Sequence, residues 1–407
     1  MPPRLLSVEP LRVAVLGGAL PDQRFQEVAD ADRGERFANQ RFGLALLRAL
    51  KCNGALPFQV SAAPATDYPN NRSLMFKRLR HHWEGIDFLE VPFVNLTGIK
   101  HVTRTLAAII YGIPEMRRHD AQVVVVHGIL SPFLATALLA RHRLGVPAAV
   151  VVTDPPNVDH AFDTKLSRAL KRIDARIIRR LLPSFDGVIA VTEQIVQDFT
   201  QGSRSLIMEG FATELSIVDE SHEGRRPLAV YAGGVKAAFG VDVLLQAQGL
   251  PGAGFDLAVY GAGPFVDEVV AAQKRQPGVM YGGVLDLAGL MDAYASADVL
   301  VNARPPDLDY APYTFPSKLL EYLATGKPVV STRLPGIPED YWQVLIPCEP
   351  TAESVAAAIA LAAAQQTPEA RARRLAFVAS RTPSVQGRRI VEFLEALRSP
   401  MGVVESV

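Results

Sequence analysis

The sequence predicts an α/β protein made of two doubly wound, Rossmann-like parallel-sheet domains. Short apolar runs alternate with longer stretches of helical periodicity along nearly the whole chain. The runs are apolar throughout instead of alternating, as expected of parallel strands covered on both faces. The alternation breaks off once, in the charged, aperiodic stretch 209–227, and then restarts. This divides the chain into a first domain, 1–208, a linker, 209–227, and a second domain, 228–382.

In the first domain a buried strand at 12–16 ends at Gly17-Gly18, and a long polar loop is expected over 19–34. A helix is expected over 35–51, through Phe37, Phe42, Leu46, Leu47 and Leu50. Strand-like pieces at 58–61 and 87–91 flank a polar, irregular insertion, 64–84. A helix over 99–118 has basic ends. The strand at 121–126 delivers His127 and Gly128 at its carboxyl end, before a helix opened by Ser131-Pro132. The strand at 146–152 ends at Thr153-Asp154-Pro155-Pro156. An amphipathic helix over 162–182 is expected to pack Leu166, Leu170, Ile173, Ile177 and Leu181 inward. Lys165, Arg168, Lys171, Arg172, Arg176, Arg179 and Arg180 are expected to face outward. Strands at 186–191 and 205–208 complete this half.

The second half places strands at 228–231, 256–260, 279–281, 298–302 and 328–332. Helices are expected at 241–248, 265–275, 287–296, 351–365, 370–380 and 385–397, with irregular chain between 333 and 350. Strand ends carry Gly233-Gly234, Gly261-Ala262-Gly263, Tyr281-Gly282-Gly283 and the Pro305–Phe315 loop, all on one edge of a parallel sheet. Glycine lets backbone approach a ligand closely there. After the last loop, Pro316 is expected at the first position of a helix whose apolar face is Leu319, Leu320 and Leu323, with Gly326 ending it. That helix start lies at the carboxyl end of a strand, where open α/β sheets bind ligands, and its free N–H groups would suit a phosphate. Lys318 in the first turn is either a partner of that anion or one half of an ordinary i,i+3 pair with Glu321.

Composition narrows the function classes. Lys plus Arg is 42 and Asp plus Glu is 42, so there is no global basic field for nucleic acid. Cys52 and Cys348 have neither metal-ligand spacing nor a disulfide framework, which fits a reducing compartment. The first ten residues are too interrupted for a signal peptide, and no run of about 18 apolar residues suggests a membrane span. A cytoplasmic protein is expected, without a metal site.

The stretch S-K-L-L-E-Y-L-A-T-G-K-P-V-V, 317–330, resembles the donor-site signature of retaining glycosyltransferases of family four, in the GT-B superfamily of glycogen synthase-like and bacterial mannosyltransferase-like enzymes. Y-A-G-G-V-K-A-A-F-G-V-D-V-L-L, V-Y-G-A-G-P and Y-G-G-V-L-D-L-A-G-L-M-D-A-Y-A-S-A-D-V-L-V-N resemble the preceding donor blocks, in the family's order. The resemblance covers most of the chain and leaves sugar and acceptor open. It implies the GT-B fold, with two domains facing across a cleft and the last helix, 383–398, packing back on the first. It also implies a UDP- or GDP-sugar as donor substrate, with no tightly bound cofactor or metal, and transfer to an acceptor hydroxyl with retained configuration.

The resemblance further implies the site. Glu321 matches the glutamate that holds the donor ribose, while the family's other glutamate falls at Tyr313 and is absent. The basic residues for the diphosphate would fall near Gly234 and Phe239 and are also absent; Lys318, and after it Lys236, are the expected replacements. The donor is expected to touch Gly233, Gly234, Lys236, Gly261, Gly263, Tyr281, Gly282, Tyr313, Thr314, Phe315 and Ser317. His127 matches the first-domain histidine at the reaction centre, and Gly17, Gly18 and Asp154 are expected on the acceptor side. Asp154 also fits a plain turn-forming role before Pro155-Pro156. The basic helix suggests a lipid-linked sugar acceptor and peripheral attachment to the inner, anionic membrane face. The competing readings are glycosylation of a soluble small molecule or secondary metabolite, a GT-B nucleotide-sugar epimerase, and a non-catalytic nucleotide-sugar binder. A dinucleotide oxidoreductase is disfavoured because Gly261-Ala262-Gly263 lacks the third glycine at G-x-G-x-x-G spacing.

Overall fold

The computed structural model describes residues 9–32, 39–156, 165–200, 202–212 and 225–399. The chain divides into two units, Met1–Glu209 with Pro383–Val407, and Gly210–Thr382. Most of the stretch expected to link two domains, and the starts of the helices expected from 35 and from 162, lie outside the described residues.

The first unit holds β1 (Arg12–Gly17), β2 (Leu56–Ser61), β3 (Met75–Phe76), β4 (Leu79–Trp83), β5 (Ile86–Glu90), β6 (Phe93–Val94), β7 (Val123–His127), β8 (Ala148–Val152), β9 (Gly187–Ala190) and β10 (Arg204–Ile207). Eight of them form one sheet in the order β10-β9-β8-β7-β1-β2-β5-β4, parallel except for the β4–β5 pair. Runs such as Val123–Val126 and Ala148–Val152 are buried on both faces, which is why they carry no polar alternation. The helix Pro383–Arg398 packs on the helix Asn39–Cys52, and a Cβ on Gly387 would meet the Ala49 carbonyl at 2.3 Å.

Four expectations in this unit need correcting. The loop expected over 19–34 contains a helix, Asp22–Asp30. It buries only Val28, so apolar periodicity could not reveal it. Arg24 fixes it with a forked pair to the buried carboxylate of Glu90, at 2.9 and 3.0 Å. The insertion 64–84 is also ordered. Its β4 pairs antiparallel with β5 around the Glu84-Gly85 turn, and Arg80 forks onto Glu115 at 2.7 and 2.8 Å. The helix over 99–118 has a π turn at Ala108–Gly112, just before Pro114, whose missing N–H breaks the α ladder.

The fourth correction concerns the basic helix, described over Lys165–Leu181. Its inward row is Ala175, Ile178 and the adjoining Leu182, whereas Ile173 and Ile177 are 50% and 43% exposed. The rotation lets Asp174 accept a hydrogen bond from the Ser131 hydroxyl of the neighbouring helix Ser131–Leu144.

The second unit is one sheet of six parallel strands, β11 (Leu228–Ala232), β12 (Asp256–Tyr260), β13 (Val279–Gly283), β14 (Val299–Asn302), β15 (Val329–Thr332) and β16 (Ile346–Cys348), in the order β13-β12-β11-β14-β15-β16. The core on one face joins strand residues such as Val259 and Val301 to Leu244, Val269, Val355 and Ile359 from three helices. The region 333–350, expected to be irregular, contains a 3-10 turn, Glu339–Gln343, and β16. Tyr341 is fully buried there and packs on Phe315 and Phe377.

Candidate functional site

In the second unit the chain winds from β11 to β13 on one side, then crosses to β14 and continues on the other. The strand order therefore reverses between β11 and β14. The crevice outside the carboxyl ends at such a reversal is where open α/β sheets bind ligands.

The glycine loops at that edge are stitched to one another. The Gly233 N–H donates to the Tyr260 carbonyl at 3.0 Å, Val235 N–H to Ala262 at 2.9 Å, and Gly261 N–H to Gly283 at 2.7 Å. A Cβ on Gly261, whose φ is +128°, would lie 1.8 Å from the Gly233 carbonyl oxygen, and one on Gly263 would lie 2.1 Å from that of Val235. These two glycines are thus required first for loop-on-loop packing. Gly282 is required likewise, because a Cβ there would enter the Tyr260 ring. Two phenols peg the assembly: Tyr231 donates to the Gly234 carbonyl and Tyr281 to the Gly261 carbonyl, both at 2.8 Å. Burial raises the Tyr231 pKa to about 12, so that phenol remains a donor.

The fourth loop leads to the helix Lys318–Ala324. Pro316 stands two residues before it. The Pro316 carbonyl accepts from Leu319 N–H at 2.8 Å, and the Ser317 carbonyl from Leu320 N–H at 3.2 Å. Two N–H groups expected to await an anion are therefore engaged. Ser317 is exposed and its side chain makes no cap. Lys318 meets Glu321 at 2.7 Å, the i,i+3 pair, and Tyr294 donates to the same carboxylate oxygen at 3.2 Å. Tyr322, fully buried, accepts from Ala232 N–H at 2.9 Å and donates to the Ala232 carbonyl at 3.2 Å, tying this helix to the end of β11. Tyr313 closes a 3-10 turn, Ala311–Tyr313, and the buried Thr314 hydroxyl has no hydrogen-bond partner among the described residues. Phe315 is buried with its ring 5.2 Å from that of Tyr341, so it serves the core.

Sequence reasoning missed Arg304, the second residue after β14. Its guanidinium lies 4.2 Å from the centroid of the Phe239 ring, and the Lys236 ammonium lies 5.4 Å from the same centroid. The available signal was a basic residue directly after the strand at the reversal.

In the first unit the strand order reverses between β1 and β7. Gly17-Gly18 and His127 end those two strands. His127 is 4% exposed and stacks on Phe42 at 5.3 Å. Burial pushes its pKa down to about 4, so the imidazole is neutral at pH 7, and its Nε2 has no hydrogen-bond partner among the described residues. A Cβ on Gly17 would press on the His127 carbonyl at 3.0 Å, and one on Gly43 would reach its Nδ1 at 3.0 Å. Gly18 lies beside Pro64. Asp154 follows β8, on the same edge, and accepts from the Thr153 hydroxyl at 2.9 Å.

Comparison with known proteins agrees with both halves. The family model described as "Glycosyl transferase 4-like domain" matches residues 58–204, and that described as "Glycosyl transferases group 1" matches 226–364. Among solved structures, a glycosyltransferase from Rickettsia africae superposes with a TM-score of 0.63 at 13% identity, covering 96% of this chain and 99% of that one. The Anabaena protein HepE in complex with UDP gives 0.62 at 14% identity, covering 95% and 100%. Sucrose-phosphate synthase from Thermosynechococcus elongatus gives 0.58 at 16% identity, covering 95% and 96%. No curated protein sequence matches the chain.

Proposed function

Because the chain belongs to the GT-B glycosyltransferase superfamily, we propose that it is a retaining hexosyltransferase that moves a sugar from a UDP- or GDP-sugar to an acceptor hydroxyl. The observation that carries this reading is the set of groups at the β11/β14 reversal. Interlocked glycine loops there lead to Glu321, a carboxylate already oriented by Tyr294 and Lys318. A half-buried carboxylate held from one side suits the two hydroxyls of a ribose. Lys318, paired with Glu321, acts in this scheme chiefly by holding that carboxylate in place. His127 offers a neutral imidazole whose Nε2 can hydrogen-bond a sugar hydroxyl at the edge of its own unit. No glycosyl-enzyme intermediate is assigned: the acceptor oxygen bonds to the anomeric carbon on the face from which the diphosphate leaves, as the carbon–oxygen bond to the diphosphate breaks, and the acceptor's proton passes to the departing diphosphate oxygen.

Steady-state kinetics test the assignment of Glu321. Glu321→Ala is expected to raise the donor KM by about 10 to 100-fold, as for loss of hydrogen bonds to a charged group. Lys318→Ala is expected to raise it less and through the same contact, so the double variant should fall short of the product of the single effects. A Glu321→Ala enzyme with an unchanged donor KM would remove the ribose assignment.

We further propose that the acceptor is lipid-linked, in polysaccharide or glycolipid synthesis, and that the protein works at the inner face of the cytoplasmic membrane. The support is an exposed face that pairs apolar with basic residues. Ile173 and Ile177 stand out beside Arg172, Arg176 and Arg180. On the helical segment starting at Ile99, which packs on the same neighbouring helix, Ile99, Val102, Leu106 and Ile110 are also exposed. Each basic residue near an anionic surface contributes about 1 kcal/mol, and partial burial of the isoleucines adds to that. Among the described residues no helix is long and apolar enough to cross a membrane.

A further inference from the structure

Two cations of the second unit meet on the ring of Phe239. Arg304 comes from the loop after β14 and Lys236 from the loop after β11, so they converge on one ring at the reversal point. Neither has a carboxylate partner among the described residues, and the buried Nε of Arg304 makes no hydrogen bond. The two loops that carry them are locked. Gly240 has φ +80° and lies so close to Ala303 that a Cβ would reach its carbonyl oxygen at 1.9 Å, and Thr332 donates its hydroxyl to the Arg304 carbonyl.

A guanidinium drawn partly out of water with no carboxylate beside it among the described residues is an unfavourable arrangement by itself. The face of one phenyl ring offsets little of it, about 0.5 to 2 kcal/mol per cation. A dianionic group between the loops would satisfy both charges and the idle Nε. Lys318 cannot supply the same attraction, since Glu321 neutralises it, and two N–H groups of its helix are engaged.

We propose that Arg304 and Lys236, positioned by Phe239, hold the diphosphate of the donor. The inference rests on the nucleotide-sugar reading and goes beyond it, because it moves the diphosphate contact away from Lys318. It also accounts for the two positions where basic residues would be expected. Gly234 and Phe239 carry no charge, and the ring at 239 gathers cations from 236 and 304 instead.

The test is calorimetric titration of the full chain with UDP, uridine, GDP and guanosine, comparing wild type with Arg304→Gln, Lys236→Gln and Lys318→Gln. The quantity read is the preference for a nucleoside diphosphate over its nucleoside. Arg304→Gln should cut that preference by about 10 to 100-fold, the value of a charged hydrogen-bond set, and leave nucleoside affinity unchanged. Lys236→Gln should cut it by a smaller factor, and Lys318→Gln should weaken nucleoside and diphosphate alike. Should Arg304→Gln melt early, Arg304→Lys, which keeps the charge and loses the fork, should show an intermediate preference at wild-type stability. A wild-type preference in Arg304→Gln or Arg304→Lys, or its loss in Lys318→Gln alone, overturns this assignment and leaves the nucleotide-sugar reading standing. A wild-type chain that binds neither diphosphate overturns both.

Discussion

Replacing Tyr322 by phenylalanine removes one oxygen atom from the second unit and should cost far more than its size suggests. The phenol is fully buried and serves both polar groups of one residue, accepting from Ala232 N–H at 2.9 Å and donating to the Ala232 carbonyl at 3.2 Å. Ala232 is itself buried at the end of β11, so water cannot take over either bond. An unsatisfied buried donor or acceptor costs about 1 to 3 kcal/mol, and taking about 1 to 2 kcal/mol for each of the two groups left here puts the loss at about 2 to 4 kcal/mol. For a unit of this size that lowers Tm by roughly 4 to 16 °C. The same bonds fix the end of β11 against the helix that carries Glu321, so nucleotide affinity should fall as well. Urea denaturation with and without UDP or GDP reads both effects. Tyr294→Phe, which loses a bond to the partly exposed Glu321, should cost less stability. A Tyr322→Phe protein within about 0.5 kcal/mol of wild type, with unchanged nucleotide affinity, would refute the idea that this phenol couples strand to site.

Three further outcomes follow from the geometry. Gly261→Ala drives a methyl group into the Gly233 carbonyl at 1.8 Å and forces a φ of +128° on a residue with a Cβ, so thermal melting should show a loss of more than about 3 kcal/mol or an unfolded second unit. Burial holds His127 at about 4 in the native state against an ordinary 6.5; between these values the unfolded chain takes up the proton and the native chain does not. Stability should therefore be full above pH 6.5 and fall toward pH 4, by up to roughly 3 kcal/mol, and His127→Gln should flatten that part of the urea-denaturation profile; an unaltered profile would contradict it. Co-sedimentation at low salt should favour anionic over neutral vesicles, and Arg172→Glu with Arg176→Glu, or Ile173→Ser with Ile177→Ser, should each reduce binding at least several-fold; equal binding to both vesicle types would exclude the basic face and favour a soluble acceptor.

What was legible in the sequence is what depends on burial in regular elements. The strands of both sheets other than β4 and β16, the glycine loops at their carboxyl ends and the Lys318–Glu321 spacing could be read because apolar runs and i,i+3 pairs are local patterns. Elements held by one long-range ion pair were not legible: the helix Asp22–Asp30 depends on Arg24 reaching Glu90, and β4 shows Arg80, His81 and His82 where a strand pattern would need apolar residues. The facing of the helix Lys165–Leu181 was misread because its isoleucine row and its alanine-containing row are both plausible inner faces. The docking of Asp174 against Ser131, a contact between helices, goes with the alanine-containing row. Arg304 escaped notice because its partner, Phe239, is distant in sequence, and a cation on an aromatic ring leaves no spacing rule.

The most direct measurement of the central claim is nucleotide release by the purified chain from a panel of UDP- and GDP-sugars, with and without lipid-linked and soluble acceptors, followed by NMR of the product's anomeric proton. The account expects release from at least one donor, acceleration by an acceptor, and a glycoside with the donor's anomeric configuration. Release that needs no acceptor and yields an epimerised free sugar, an inverted product, or a chain that turns over no nucleotide sugar would contradict it.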